Sequence, residues 1–259
     1  MGESAGDILK VCTEMGRILL ENGAEIFRTE DTLSRVARYY GIEDGDFFVL
    51  TNGILSSAVD REGNTSARVR FIPSNSANLA KVNEINQLSR EICSGRYTLD
   101  EVRTELVRID ALHSEPSPLI VGATALGSGA FSLLYGGTFT DALIALFAGL
   151  ILGLFSELVA KKHLTKITKN ITGAALVTTI CLIFHHYGMG ANMNAMIAGS
   201  IIPLIPGVSF VNGIRDIAHS DYISGVVRLM DSLFVFICIA IGVGTPLAFY
   251  SRFLGGLKL

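Results

Sequence analysis

From Pro118 onward the chain consists of apolar stretches separated by short polar loops, and this feature constrains the fold most strongly. Only eight of the 21 Lys and Arg residues lie in this half, and 19 of the 24 Asp and Glu residues precede it. Long apolar stretches with few charges are typical of membrane-spanning helices. The sequence therefore predicts a charged soluble domain followed by an integral membrane domain.

The apolar stretches predict an α-helical transmembrane bundle. A helix needs about 20 apolar residues to cross a hydrocarbon core about 30 Å thick. Five stretches approach that length, so we expect about five transmembrane helices. They cover residues of about 118–136, 141–160, 171–187, 192–210 and 226–250.

The first part of the chain has the pattern of an α+β domain. Apolar residues recur at helical spacing in residues 8–19 and 79–92, and three β-rich runs within residues 47–72 favour a small antiparallel sheet. Thr98 and Glu101 have the spacing of a helix capping box. The predicted organisation is a cytoplasmic α+β domain at 1–113, a linker at 114–118 and a transmembrane helical domain at 119–259.

Basic residues in the short loops predict the orientation, because cytoplasmic loops carry an excess of Lys and Arg. Lys161, Lys162, Lys166 and Lys169 all follow the second apolar stretch. The polar N-terminus lacks the basic and apolar regions of a signal peptide. We therefore expect a multi-pass protein of the plasma (inner) membrane, with its N-terminal domain in the cytoplasm and its C-terminus outside.

Other function classes lack their signatures in this sequence. No basic cluster interleaved with aromatic residues indicates a nucleic-acid partner. Before His113 the chain has no histidine, no CxxC pair, no Gly-x-Ser-x-Gly and no metal-ligand spacing, and no Walker-type phosphate loop occurs anywhere. We therefore expect no nucleic acid, no metal, no cofactor and no enzymatic activity.

The fourth apolar stretch contains helix breakers. Pro203 and Pro206, followed by Gly207, should interrupt a helix within the membrane, because each proline removes a backbone donor and clashes with the preceding turn. Such a break is tolerated where it is buried in protein or lines a cavity, as in many transporters. The alternative is a simple kink closed by the hydroxyls of Ser200 or Ser209.

Gly149 and Gly153 form a GxxxG pair in the second apolar stretch. Small residues at this spacing let two helix backbones approach closely. The pair can serve packing within one chain or contact between subunits.

Few ionisable residues lie at or near membrane depth, where burying an unpaired one costs on the order of 3 kcal/mol. Asp141 and Glu157 lie near the ends of their apolar stretch, where placement at the interface would accommodate them. Arg228 and Asp231 are three residues apart on one helix, so they can pair with each other.

Asn212, Arg215 and Asp216 form a polar group just beyond the broken stretch. Asn212 and Asp216 are four residues apart and should share one helical face. Arg215 beside a carboxylate can bind a zwitterionic or carboxylate substrate while the charges stay compensated. The alternative is that Arg215 is a cytoplasmic anchor and Asp216 its exposed partner.

A row of charged side chains lies on a further predicted amphipathic helix of the soluble domain, which begins near Gly23 and ends at Gly41. Glu25, Arg28 and Asp31 follow one another at steps of three residues. The row is either a ligand or partner site or an ordinary solvated surface.

Three motifs carry a family resemblance. They are Gly23-Ala24-Glu25-x-x-Arg28-x-Glu30, then Phe71-Ile72-Pro73, and above all Pro203-Leu204-Ile205-Pro206-Gly207 followed by Asn212-Gly213-Ile214-Arg215-Asp216. Over essentially its whole length the chain resembles the threonine/serine exporter family. Full-length members of that family carry a soluble N-terminal domain and about ten spans, so a chain with about five is similar to the split members, in which a second small membrane protein supplies the rest.

The resemblance implies export of a small polar metabolite, either threonine or serine or a dicarboxylate. We therefore expect a subunit of a secondary transporter in the lipid bilayer, partnered by a companion small membrane subunit, a homo-oligomer or both. A membrane-anchored enzyme and a ligand sensor acting through the N-terminal domain are the alternatives. The residues expected along the substrate pathway are Ser200, Pro203, Pro206, Gly207, Ser209, Asn212, Arg215, Asp216, Arg228 and Asp231, with Asp141, Glu157, Glu25 and Arg28 as possible secondary residues.

Overall fold

The computed structural model of the chain describes residues 4–59, 63, 65–73, 78–112, 117–160 and 164–253. Most of the predicted linker, together with Lys161 and Lys162, lies outside the described residues. The chain forms two compact units. The first unit comprises Met1–Ser114 and Gly207–Met230, and the second comprises Glu115–Pro206 and Asp231–Leu259.

The first unit begins with two amphipathic helices, α1 (Ala5–Glu21) and α2 (Ile26–Tyr39). The Ser4 hydroxyl accepts a hydrogen bond from the backbone N–H of Asp7 and so caps α1. Gly23, with a φ of 88°, reverses the chain between the two helices.

An antiparallel sheet packs against these helices. Its strands β1 (Gly45–Leu50), β2 (Gly53–Val59) and β3 (Thr65–Phe71) lie in sequence order, with Phe47 opposite Ser56 and Ser56 opposite Arg68. A Cβ added at Gly16 of α1 would lie 2.4 Å from a side-chain atom of Ile54, so the glycine permits a close approach of α1 to β2. The sheet predicted in this region is confirmed.

Two further helices complete the soluble part of this unit, α3 (Leu79–Cys93) and α4 (Leu99–Asp110). The predicted capping box at the start of α4 is confirmed, because Thr98 and Glu101 exchange both hydrogen bonds. Buried side chains of all four helices and of the sheet share one apolar core.

The second unit contains long apolar helices that pack closely together. They are α5 (Ser117–Leu134), α6 (Phe139–Phe155), which continues as a π-helical turn at Ser156–Ala160, and α7 (Lys166–His186). A Cβ at Gly149 would lie 2.4 Å from Ser128 Oγ, and one at Gly153 would lie 3.0 Å from Val121 Cα. The GxxxG pair of α6 therefore packs against α5 of the same chain.

The predicted break in the fourth apolar stretch is present. Helix α8 (Met193–Ile201) runs into a 3₁₀ turn at Ile202–Leu204, and a new helix, α9 (Gly207–Ala218), begins after Pro206. Ile205 is extended, with φ −70° and ψ 126°, which is the conformation that a following proline favours. Its N–H donates to the Ile202 carbonyl, so the turn itself satisfies one of the freed acceptors.

The last helix, α10 (Tyr222–Phe253), is the longest of those described. Among the described residues four helices are long and apolar enough to cross a membrane, or five if α8 and α9 count as one broken span. The four are Ser117–Leu134, Phe139–Val159, Lys166–His186 and Tyr222–Phe253. The prediction of a multi-pass membrane protein is confirmed.

The compact units do not follow the predicted division into residues 1–113 and 119–259. Residues 207–230, which are α9 and the start of α10, group with the N-terminal domain. The physical reason is that polar side chains of this segment bind the backbone at the start of α2.

Candidate functional site

Helix α9 and the first turns of α10 cross at two glycines. A Cβ at Gly213 would lie 3.1 Å from the Gly225 carbonyl oxygen, and one at Gly225 would lie 2.8 Å from the Gly213 carbonyl oxygen. The absence of both side chains allows the two backbones to approach closely. The crossing places Asp216 of α9 beside Arg228 of α10.

Three side chains of this helix pair bind the backbone of residues 23–26. The Asn212 amide donates to the Gly23 carbonyl and the Arg228 guanidinium to the Ala24 carbonyl, both at 2.9 Å. The N–H of Ile26 donates to Asp216 Oδ1 at 3.3 Å. The Glu25 side chain, at the N-cap position of α2, makes no capping hydrogen bond, so Asp216 caps this helix from a distant part of the chain.

Asp216 and Arg228 also form a buried ion pair. Arg228 Nε lies 3.3 Å from Asp216 Oδ2, and both side chains are buried. Removing one partner of such a pair leaves an uncompensated buried charge, which costs about 3–5 kcal/mol. Asn212 and Asp216 share the buried face of α9, whereas Arg215 points away from it.

Glu25 bridges two arginines at the edge of this cluster. Its Oε1 lies 2.6 Å from Arg215 Nη1, and its Oε2 lies 3.3 Å from Arg28 Nε. The Glu25 side chain is 15% exposed, whereas those of Arg215 and Arg28 are 54% and 70% exposed. Thus Arg215 and Asp216, expected to act as a pair, are neighbours in sequence that bind different partners.

A pocket of about 430 Å³ opens at the Glu25 bridge, between α1, α2, α3 and α9. Its apolar lining includes Leu19, Val82 and Val211. Its polar lining consists of Glu25, Arg28, Thr29, Asn86, Asn212 and Arg215. The pocket thus presents two cations, one anion and two amides to a ligand.

Further contacts tie α2 to its surroundings. Phe27 stacks on His219, with ring centroids 4.7 Å apart, and Glu30 Oε1 accepts a hydrogen bond from the N–H of Val49 at 3.0 Å. Partial burial raises the pKa of the Glu30 carboxyl, the bond from Val49 opposes this shift, and the charge of Asp221 adds to it. These contacts fix α2 at the pocket.

The sequence matches the ThrE family model, which describes a threonine/serine exporter, over residues 10–250. The chain belongs to the threonine/serine exporter family. Both groups of residues that meet at the pocket, 23–28 and 207–216, lie within the matched range.

Three relatives of the chain are named as transporters or transporter subunits. It is 21% identical to the "Probable threonine/serine exporter" of Mycobacterium tuberculosis over 91% of this chain, and 23% identical to the "Threonine/serine exporter" of Corynebacterium glutamicum over 92%. It is also 23% identical to the "Probable succinate transporter subunit YjjP" of Escherichia coli over 85%. No solved structure matches the chain.

The relatives differ in length. The alignments cover 45% and 50% of the two exporters, so the chain spans about half of each, whereas the alignment covers 86% of the Escherichia coli subunit. The family is one of transporters, in agreement with the prediction that the chain is not an enzyme.

The other residues that were expected along the substrate pathway do not all lie at the pocket. Gly207 lines the pocket at the start of α9, close in sequence to the half-buried Ser209. The Ser200 hydroxyl is buried in the second unit, where it donates to the Met196 carbonyl one turn earlier in α8. The half-buried Pro206 and the exposed Pro203 lie at the break between α8 and α9.

Asp141, Glu157 and Asp231 belong to the second unit. Asp141 is a buried helix cap in the first turn of α6, at the end of its apolar stretch. Glu157 accepts a hydrogen bond from the Ser117 hydroxyl, and Asp231 pairs with Lys166. The expected pair of Arg228 and Asp231 is replaced by separate ion pairs, because Asp216 approaches Arg228 across the α9–α10 crossing.

Sequence reasoning missed Asn86 and the backbone carbonyls of residues 23 and 24. Asn86 lies on α3, and no motif in the sequence distinguishes it. The sequence did offer one indication of these carbonyls, because a glycine turn at the end of a helix leaves backbone groups that need hydrogen-bond partners.

Proposed function

We propose that the chain is a subunit of a secondary transporter that exports a small polar metabolite across the plasma membrane. The observation that carries the proposal is the meeting of residues 23–28 with Asn212 and Arg215 at one charged pocket. This pocket receives the metabolite on the cytoplasmic side. Family membership supports the transport activity, and the pocket supports the kind of substrate.

The pocket suits a substrate with a carboxylate. Its volume of about 430 Å³ is within the range of small-molecule sites, about 300–1,000 Å³. Arg28 and Arg215 supply guanidinium groups, which bind carboxylates well. Glu25 can accept from an ammonium group, and the Asn86 amide can bind a hydroxyl or a second carboxylate. Threonine and serine supply a carboxylate, an ammonium group and a hydroxyl, whereas a dicarboxylate such as succinate supplies two carboxylates.

A companion membrane subunit completes the transporter. The two exporters among the relatives are about twice as long as the aligned region, and the Escherichia coli relative of similar length is named a subunit. A second small membrane protein would therefore supply the remaining spans to this chain.

Reconstitution tests the proposal. Inverted proteoliposomes with labelled threonine, serine or succinate should accumulate at least one of them when the chain and its companion are both present. Arg215→Gln should impair this accumulation. Arg35→Gln is the matched control, since Arg35 forms an exposed pair with Asp31 on the same helix as Glu25 but does not line the pocket. Absence of transport of all three substrates by the wild-type pair would refute the proposed function.

A ligand sensor is the second candidate, because every lining residue of the pocket belongs to the unit that contains the N-terminal domain. Initial uptake rates, measured over a range of substrate concentrations, separate the two candidates. A substrate site predicts that Arg215→Gln raises the KM for the transported metabolite. A sensor predicts an unchanged KM and the loss of regulation by a different molecule.

A further inference from the structure

We propose that Glu25 is a resident carboxylate that occupies the arginine site of the pocket until the carboxylate of a ligand displaces it. The proposal rests on the proposed function, since it assigns the pocket to the transported metabolite, and it adds the exchange by which the ligand enters.

Each oxygen of Glu25 already lies where a ligand carboxylate would bind. Oε1 contacts Arg215 and Oε2 contacts Arg28, so one carboxylate spans two guanidinium groups on different helices. A free carboxylate has the same charge and the same two acceptor atoms. It can therefore replace Glu25 without leaving either arginine uncompensated.

Displacing Glu25 breaks ion pairs with exposed partners, whereas displacing Asp216 would break a buried ion pair. Arg28 and Arg215 are more than half exposed, and ion pairs with such exposed partners contribute little to stability because solvent screens their charges. Asp216 and Arg228 are almost completely buried, so separating them would remove the opposite charge from each of two buried groups, which is strongly unfavourable. A ligand therefore displaces Glu25 and leaves Asp216 in place.

The backbone contacts of this region do not depend on Glu25. Asn212 and Arg228 bind the carbonyls of residues 23 and 24, and Asp216 binds the N–H of Ile26. Displacement of the Glu25 side chain therefore breaks its bridges to Arg28 and Arg215. The hydrogen bonds that hold α9 and α10 to the start of α2 remain. The released carboxylate is then available to an ammonium group of the ligand.

Glu25→Gln should change the affinity for a dicarboxylate and the affinity for an amino acid in opposite directions. A dicarboxylate competes with Glu25 and gains from its removal, so succinate should bind more tightly. An amino acid also competes with Glu25, but it uses the released carboxylate for its ammonium group, so threonine should bind more weakly. Each change should be about three- to tenfold, the amount that one or two exposed ion pairs supply.

The experiment is calorimetric titration of the full chain in detergent with succinate and with threonine. The variants are Glu25→Gln, Glu25→Asp and Arg215→Gln, with Arg35→Gln as the control. The wild type should bind at least one ligand, and Arg215→Gln should weaken binding of that ligand. Glu25→Gln should tighten binding if the ligand is succinate and weaken it if the ligand is threonine. Glu25→Asp retains the charge and should move both affinities back toward wild-type values.

Several results would overturn the proposal. If Glu25→Gln leaves the affinity within twofold of wild type while Arg215→Gln weakens binding, the pocket binds ligand but Glu25 is not its resident carboxylate. If Arg215→Gln has no effect, or the wild type binds neither ligand, the pocket is not a carboxylate site. In each case normal export in proteoliposomes would leave the transport function standing, so the two failures are distinguishable.

Discussion

Two buried aspartates, one in each unit, have opposite surroundings. Asp141 at the start of α6 is 0% exposed and accepts hydrogen bonds from the Thr138 N–H and hydroxyl and from the N–H groups of Ala191 and Asn192. Asp216 on α9 is 1% exposed and accepts one, from Ile26. Its Oδ2 accepts no hydrogen bond within the described residues and faces Arg228 instead.

The two carboxylates stabilise different parts of the molecule. The Asp141 carboxylate accepts its hydrogen bonds from the residue that caps α6 and from the loop before α8. Asp216 depends on one cation and one N–H, and both come from elements that it holds together. Asp216 therefore links α2, α9 and α10, whereas Asp141 fixes the start of one helix.

The largest effect should come from Asp141→Ala. The substitution leaves buried N–H groups without an acceptor and removes charge-assisted bonds, each worth about 1.5–3 kcal/mol. We expect a loss of about 5 kcal/mol or more, seen as a strong fall in the yield of folded protein by detergent size-exclusion chromatography and in Tm. Asp141→Asn keeps one acceptor oxygen and should be milder. A wild-type Tm for Asp141→Ala would contradict this assignment.

Asp216→Asn should be the next most harmful change. It leaves Arg228 buried without its counter-charge, at a cost of about 3–5 kcal/mol. Because the cost arises from removing the negative charge beside Arg228, the double variant Asp216→Asn with Arg228→Gln should recover part of the stability in thermal unfolding. Additive losses in the double variant would show that the two residues do not act as a pair.

Export by this double variant separates a role of Asp216 in transport from a role in packing. If Asp216 takes part in transport as well as in packing, the double variant should recover Tm but not export in proteoliposomes. Full export with a wild-type pH profile would restrict Asp216 to the same structural role as Asp141.

Arg215→Gln should change function far more than stability. Its ion pair with Glu25 has a half-exposed guanidinium, so the free energy of unfolding should fall by no more than about 1 kcal/mol. The KM for the exported metabolite should rise, because the pocket loses one of its two cations. Thermal unfolding and initial export rates, measured beside Arg35→Gln, check both parts.

The smallest effect concerns the pH dependence at Glu30. Since burial raises its pKa, the folded state holds this proton more tightly than the unfolded state, and the associated stability is lost as pH rises through the folded pKa. Glu30→Gln removes this titration. The wild type should therefore lose stability relative to Glu30→Gln as pH rises from the usual carboxyl range. If the Tm of the wild type and that of Glu30→Gln changed in parallel with pH, this prediction would be wrong.

Much of the fold was predictable because it depends on local patterns. Helical periodicity predicted α1 and α3, and two prolines predicted the break before α9. The inward face of α9 was also predictable, since Asn212 and Asp216 are one turn apart. The helix cap at Asp141 was available in the sequence as well, because Thr138 stands three residues before it, although its burial was not.

The partners of the charged residues were not predictable. Arg228 was expected to pair with its helical neighbour Asp231, and Arg215 to act with the adjacent Asp216. Each finds its partner elsewhere, because the α9–α10 crossing and the approach of α2 bring other groups closer.

The sequence by itself therefore determined that this chain is a multi-pass membrane protein with a charged α+β domain and a broken apolar stretch. Only the tertiary structure decided that residues 207–230 join the N-terminal domain, and that Arg215 meets Glu25 across a separation of 190 residues. The physical reason is the range of the interactions. Periodicity and helix breaking act within a few residues, whereas ion pairs and caps between distant segments form only when folding brings their atoms within about 3 Å.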